Sequence, residues 1–277
     1  MKPAVALAST ESNTTAMHRW AVERVILEMR GRLADPLSLH EMAQIVGLSP
    51  FHFDRVFHQT TGIPPVQFLY ALRIEAAKRL LLTTQRTVTD VCYEVGYNSL
   101  GTFTRRFTQL VGLSPRKFRS LAAKLDLSLL QSWSANPEEF FSSGSCVTGK
   151  VTTPDHFFGI VFLGLFPTAI PQGNPIAGTL LTASGPFHIG PLRDGKYFLF
   201  AAAFPHTENP LAYLLPESSS LFVGSGDRPA VVRNGKSDTV IDLELRETRT
   251  TDPPILISLP FLLVMRSEGI PSGSSDK

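Results

Sequence analysis

Cysteine is almost missing from this chain: Cys92 and Cys146 are the two in 277 residues. So few thiols exclude a disulfide framework and a cysteine-based zinc site, and they fit a reducing cytoplasm. Long apolar runs are missing too. The longest, Phe157–Phe166 and Ile255–Met265, are about half the ~20 residues a membrane helix needs, so no membrane partner is expected. The stretch from Met1 to Thr10 has one lysine and an apolar patch ending at Ala8, too short for a secretory signal. No nucleophile elbow, phosphate loop or metal-binding cluster occurs, and His156, His188 and His206 stand isolated. The sequence therefore nominates no catalytic residue, no metal and no cofactor, and enzymatic activity has no support.

What is present points elsewhere. Length and a hydrophobic content of 43% suffice for two ordinary domains with their own cores. The net charge of +2 conceals an asymmetry: residues 1–125 carry 16 basic against 9 acidic side chains, and residues 126–277 carry 10 against 15. A +7 half and a −5 half suggest separate tasks, with the basic half suited to a polyanion.

The basic half contains a repeat. Phe53, Arg55, Phe57, Gly62, Pro65 and Phe68 recur 50 positions later as Phe103, Arg105, Phe107, Gly112, Pro115 and Phe118. Just upstream, Leu39, Ala43, Val46 and Gly47 recur at an offset of 49 as Val88, Cys92, Val95 and Gly96. Helix signals punctuate each copy. Ser38-x-x-Glu41 and Thr87-x-x-Asp90 are capping boxes, Gly47 and Gly96 are suited to left-handed helix ends, and Ser49-Pro50 and Ser114-Pro115 start further helices.

The spacing predicts a loose tail over 1–13, a first helix over 14–31, and short helices from 39, over 50–60, after 87, over 99–111 and after 115. A long helix over 65–82 joins the two copies. Its apolar face is Leu69, Leu72, Ala76 and Leu80, with Arg73, Lys78 and Arg79 elsewhere. Cys92, opposite Ala43 in the repeat, reads as a buried small hydrophobe.

A helix–glycine turn–helix unit whose second helix presents polar residues can enter a major groove. With Phe53 and Phe57 turned to the core, Arg55 is central on the outer face, with Phe51 and His52 ahead of it. With Phe103 and Phe107 inside, Arg105 is central, with Gly101 and Thr102 ahead. Arginine can donate two hydrogen bonds to guanine, and Thr102 can touch a thymine methyl or a polar edge. Gln59 and Gln109, with His58 and Thr108, lie further along and suit phosphate contacts; Arg106 is on the flank. A lone exposed arginine is ordinarily only solvated. Two at matched places in matched motifs favour double-stranded DNA as the partner.

The stretch Gly96-Tyr97-Asn98-Ser99-Leu100-Gly101-Thr102-Phe103-Thr104-Arg105-Arg106-Phe107, with Gly112-Leu113-Ser114-Pro115-Arg116-Lys117-Phe118-Arg119, resembles the signature of AraC/XylS-type bacterial transcription regulators. So does Pro65-Val66-Gln67-Phe68-Leu69 followed by Arg73, Ala77, Leu80 and Leu81. The resemblance covers about residues 14–121, with one departure: Ser99 stands where the family usually carries an acidic residue. It implies a seven-helix domain over 14–125 with two helix-turn-helix units that enter successive major grooves. It also implies transcription regulation, as an activator, with RNA polymerase as a further partner.

Residues 126–144 read as a linker, with Asn136-Pro137 and Ser142-Ser143-Gly144-Ser145 as its markers. Beyond it the helical period disappears. Strands are expected near 145–152, 157–166, 176–183, 196–204, 220–223, 238–246 and 255–265, and Asp194-Gly195 and Asn234-Gly235 are turn signals. The fold class is thus an all-α double helix-turn-helix domain followed by an all-β antiparallel sandwich over 145–266, with a tail over 267–277. Val147–Val151, Pro175–Ala177, Leu192–Leu199 and Val240–Leu245 resemble the prealbumin-like sandwich of carboxypeptidase regulatory and Cna-B-type domains. Such a module would sense a small-molecule or protein effector, or mediate interaction. The competing reading of the whole chain is a protein-interaction adaptor whose helical half no longer binds specific DNA.

Overall fold

The computed structural model describes residues 4–122, 145–168, 170–209, 211–215, 221–237 and 239–257. The chain divides into two compact units, residues 1–103 with 249–254, and residues 104–248 with 255–277.

Seven helices occupy the basic half: α1 Ala4–Gly31, α2 Leu39–Ile45, α3 Pro50–Thr61, α4 Pro65–Thr83, α5 Val88–Glu94, α6 Leu100–Val111 and α7 Pro115–Ala122. The division between the units falls inside α6. Helix α1 begins ten residues before its expected start, which corrects the loose tail. Ala4, Val5, Ala6, Leu7 and Ala8 are interrupted by neither glycine nor proline, and alanine and leucine are strong helix formers.

Both capping boxes form. The Ser38 hydroxyl accepts from Glu41 N at 3.2 Å, while the Glu41 carboxylate accepts from Ser38 N at 2.7 Å. Thr87 and Asp90 do the same at 3.1 and 3.1 Å. Bonds from the Ser38 amide and hydroxyl to Glu41, and from the Thr87 hydroxyl and amide to Asp90, favour the charged form and hold both carboxyls below the usual carboxylate range.

The first unit packs around Val22, Val25, Ile26 and Met29 of α1, Met42 and Ala43 of α2, Phe53 and Phe57 of α3, and Phe68 and Leu72 of α4, all buried. Arg73 departs from expectation. It is only 7% exposed and donates to three backbone oxygens: Nε to Leu33 O at 2.8 Å, Nη2 to Asp35 O at 2.8 Å and Nη1 to Gly96 O at 3.1 Å. One guanidinium thus ties α4 to the α1–α2 connection and to the α5–α6 turn. That turn allows no side chain at Gly96. Its φ is +82, and a Cβ there would lie 2.7 Å from Leu33 O and 2.9 Å from Ala34 O.

Lys78, also read as outside the apolar face, is 2% exposed. Burial lowers its pKa from 10.5 to about 8, against the opposing pull of the Glu75 carboxylate. The native state therefore releases this proton more readily than the unfolded chain. Its stabilising contribution is present above pH 10.5 and is lost as pH falls through about 8. A shift of this size corresponds to about 3 kcal/mol. Urea melts at pH values spanning the two should show stability rising with pH, and Lys78→Met should abolish that rise. Parallel wild-type and variant curves across the window would contradict the assignment.

The second half is built of β1 Ser145–Thr152, β2 Gly159–Phe166, β3 Ala177–Leu181, β4 Gly185–Leu192, β5 Gly195–Pro205, a short α8 Leu211–Leu214, β6 Phe222–Ser225, β7 Ala230–Val232, β8 Leu243–Glu244 and β9 Arg246–Glu247. One sheet has the order β4-β1-β8. The other runs β3-β2-β5-β6-β9, with β7 also on β5. All pairs are antiparallel except β1–β8, which is parallel. Between the sheets lie Val147, Val151, Val161, Leu163, Phe187, Ile189, Leu199 and Leu243, so this half is a β-sandwich. The opposite face of β2 and β5 is also covered: Phe162, Phe166, Ala202 and Phe204 pack with Tyr213, Leu221 and Ile257. Burial on both faces explains why β2 reads as one unbroken apolar run.

Two strand expectations need correction, and two strands, β4 and β7, were not foreseen. The described residues of 238–246 give only the two-residue β8 and the start of β9. Residues 255–257 are not strand, and the rest of 255–265 lies outside the described residues, as do the 126–144 linker and the 267–277 tail. Asn234-Gly235 forms its turn, whereas Asp194 is a bend between β4 and β5, which lie in different sheets, so no hairpin closes there; the two signals meet. Asn234 and Gly235 take positive φ, 52 and 69. Their amides donate to the Asp194 carboxylate at 2.7 and 2.9 Å, which lowers its pKa.

Candidate nucleic-acid interface

Each repeat copy presents a helix of 12 residues after a left-handed glycine turn: α3 follows Gly47, at φ +67, and α6 follows Gly96. Serine starts both. Ser49 Oγ accepts from His52 N at 3.4 Å and Ser99 Oγ accepts from Thr102 N at 3.4 Å. Ser99, the departure from the family pattern, therefore takes the same capping role in its copy as Ser49. Glycine closes both helices, Gly62 at φ +79 and Gly112 at +89.

The inner faces are phenylalanine pairs. Phe53, Phe57, Phe103 and Phe107 are all fully buried. Phe57 meets Phe68 edge-on at 5.5 Å, and in the second copy Phe107 meets Phe118 at 5.6 Å. Such pairs lock the rotation of a helix about its axis, because turning it would expose two aromatic rings. The outer faces follow from that lock. Arg55 and Arg105 are exposed, as are Gln59, Gly101, Thr102 and Gln109; His52 and Arg106 are partly covered.

Phe51 is 93% exposed and has no packing role among the described residues. Gly101 sits in open space: a Cβ there would meet only Ser99 Oγ, at 3.8 Å. A side chain there would be tolerated by the fold. Every nominated residue on α3 thus reaches the surface of α3, and every one on α6 reaches the surface of α6.

Sequence reasoning missed the links around His52. Its Nδ1 lies 3.2 Å from Arg55 Nη2, and its ring meets His18 of α1 edge-on at 5.6 Å. A helical spacing of three between His52 and Arg55 was the available signal. Among the described residues no group of three or more His, Cys, Asp or Glu could hold a metal ion. No described helix is long and apolar enough to cross a membrane.

Comparison with known proteins places this geometry in a family. Residues 42–120 match a model described as a helix-turn-helix domain. The HTH-type transcriptional activator AarP of Providencia stuartii is 32% identical over 111 residues, which are 40% of this chain and 82% of AarP. This chain belongs to the AraC-type helix-turn-helix transcriptional regulators. A second relative, the HTH-type transcriptional regulator Rv1931c of Mycobacterium tuberculosis, is 36% identical over 94 residues, 34% of this chain and 36% of the relative. YobQ of Bacillus subtilis is 33% identical over 95 residues, and the match spans 39% of it. This chain thus spans little more than a third of the length of those two.

Among solved structures, an AraC-type regulator from Chromobacterium violaceum matches 39% of this chain and 96% of its own, at 24% identity and TM-score 0.38. The DNA-binding domain of AdpA, solved in complex with a target DNA, matches 37% and 93%, at 27% identity and TM-score 0.36. AraC-type membership rests on the helical half.

Proposed function

We propose that this protein is a sequence-specific DNA-binding transcription regulator that reads two successive major grooves, one with α3 and one with α6. The observation that carries this is the equivalence of Arg55 and Arg105. Each is exposed near the middle of a serine-capped, glycine-terminated helix whose rotation a buried phenylalanine pair locks.

Arg55 and Arg105 donate to guanine O6 and N7. Phe51 and Thr102 supply apolar contact to thymine methyls, and Gly101 lets the α6 backbone approach the base edges. Gln59, Gln109 and Arg106 bind phosphates, helped by the orphan amides at the start of α3 and α7. The relatives named as transcriptional regulators support this reading, as does the +7 balance of residues 1–125. RNA polymerase is the protein partner of a regulator that activates. The sandwich is the place for an effector, and the work of the chain is binding, in the cytoplasm, rather than catalysis.

Phosphate-dominated contact has a measurable consequence. Each neutralised phosphate contributes about −0.9 to the slope of log affinity against log salt. Titration of a specific duplex by fluorescence anisotropy at several salt concentrations should give a slope steeper than about −4. A slope near zero would contradict the proposal and favour an adaptor.

A further inference from the structure

We infer that His52 is a positioning residue for Arg55: a neutral imidazole that holds the guanidinium ready for its base and lets go when protonated. The inference rests on Arg55 as a base reader and adds what controls it.

The geometry assigns the proton. Arginine offers only donors, so the nitrogen 3.2 Å from Arg55 Nη2 must accept. His52 Nδ1 therefore carries the lone pair, and its one ring proton is on Nε2. Nη2 has two hydrogens. Giving one to His52 leaves the other, with an Nη1 hydrogen, free for guanine O6 and N7. A long exposed side chain otherwise loses rotamer freedom on binding, and a partner already in place reduces that loss.

The ring is itself steadied from a second helix, by His18 of α1 at 5.6 Å, and His52 N is held by Ser49 Oγ at 3.4 Å. Among the described residues, the titratable or charged groups in contact with His52 are His18, from α1, and Arg55, from its own helix. A second proton on His52 turns the acceptor into a donor, so donor faces donor and cation faces cation beside Arg55. The second copy lacks the device. The residue three before Arg105 is Thr102, whose amide donates to Ser99 Oγ at 3.4 Å. One of the two reading helices is therefore pH-sensitive and the other is not.

The test uses the full chain and a panel of duplexes that carry every base at each position of the selected site, read as relative affinity. Arg55→Ala and Arg105→Ala first assign the base that each arginine reads. Between about pH 7.5 and about pH 5.5, discrimination at the Arg55 base should fall about five-fold. Discrimination at the Arg105 base should stay level. His52→Asn, whose amide oxygen can take the place of Nδ1, should keep discrimination and flatten the pH profile. His52→Ala should lose it at every pH. His18→Phe, which keeps a ring edge without a charge, should retain the pH dependence.

Full discrimination in His52→Ala would overturn the inference. So would a pH profile that survives in His52→Asn, or an asparagine variant as poor as the alanine one. If instead Arg55→Ala changes preference at no base, it is the reading of Arg55 as a base contact that fails. Thermal melts of each variant show whether it is folded, and the unchanged Arg105 base serves as the control within the same molecule.

Discussion

Replacing Arg73 by methionine is expected to cost the helical unit about 3–5 kcal/mol, because three part-buried hydrogen bonds to carbonyl oxygens are lost together and each acceptor left unsatisfied costs about 1–3 kcal/mol. Leu33, Asp35 and Gly96 supply those oxygens, at 2.8 to 3.1 Å. A methionine would fill much of the volume and donate nothing. Lysine would do only partly better, since a single ammonium cannot span three oxygens spread around a planar fork.

The effect matters beyond stability. Gly96 belongs to the turn that leads into α6, so slackening the clamp should also loosen the aim of the second reading helix. Urea unfolding followed by circular dichroism measures the change. Since whole domains retain about 5–15 kcal/mol of stability, such a loss would be unmistakable. A variant that melts within about 1 kcal/mol of wild type would show that water or a neighbour replaces the guanidinium.

The larger functional effect concerns Arg55 and Arg105, the two arginines proposed to read bases. Each bidentate arginine–guanine pair contributes about 1–3 kcal/mol of discrimination. Removing Arg55 or Arg105 alone should therefore reduce preference at one base by roughly five- to 150-fold, leaving the other base untouched. Removing both should multiply the losses, because distant independent sites add in free energy. Non-specific affinity should fall little, since phosphate contacts supply most of it. Competition between specific and random duplexes separates the two quantities. A pair of variants that lose total affinity without losing preference would mean that these side chains bind phosphate instead.

Much of the helical half was legible in the sequence because its signals are local. Ser38 with Glu41, and Thr87 with Asp90, are four-residue devices, and both formed. The repeat made Phe53, Phe57, Phe103 and Phe107 identifiable as core without any structure, and that fixed which side of each helix was left outside. Arg73 was illegible for the opposite reason. Its partners are backbone carbonyls far away in sequence, and a carbonyl carries no residue signature.

In the sandwich, β4 hid because Gly185, Pro186, Gly190 and Pro191 interrupt its apolar alternation. Even so Phe187, Ile189 and Leu192 are buried. The three-residue β7 is too short to show a period at all. His52 was nominated as a DNA contact, but nothing in its residue type announced the lone pair turned toward Arg55.

Selection of bound sequences from random duplexes, run in parallel with wild type, Arg55→Ala and Arg105→Ala, tests the central claim most directly. The wild type should recover an asymmetric site with two conserved blocks about one helical turn, 10–10.5 base pairs, apart. Each variant should degrade one block, a different one in each case. Recovery of the same consensus by all three proteins, or of no consensus by wild type, would contradict the claim that these two arginines read the sequence.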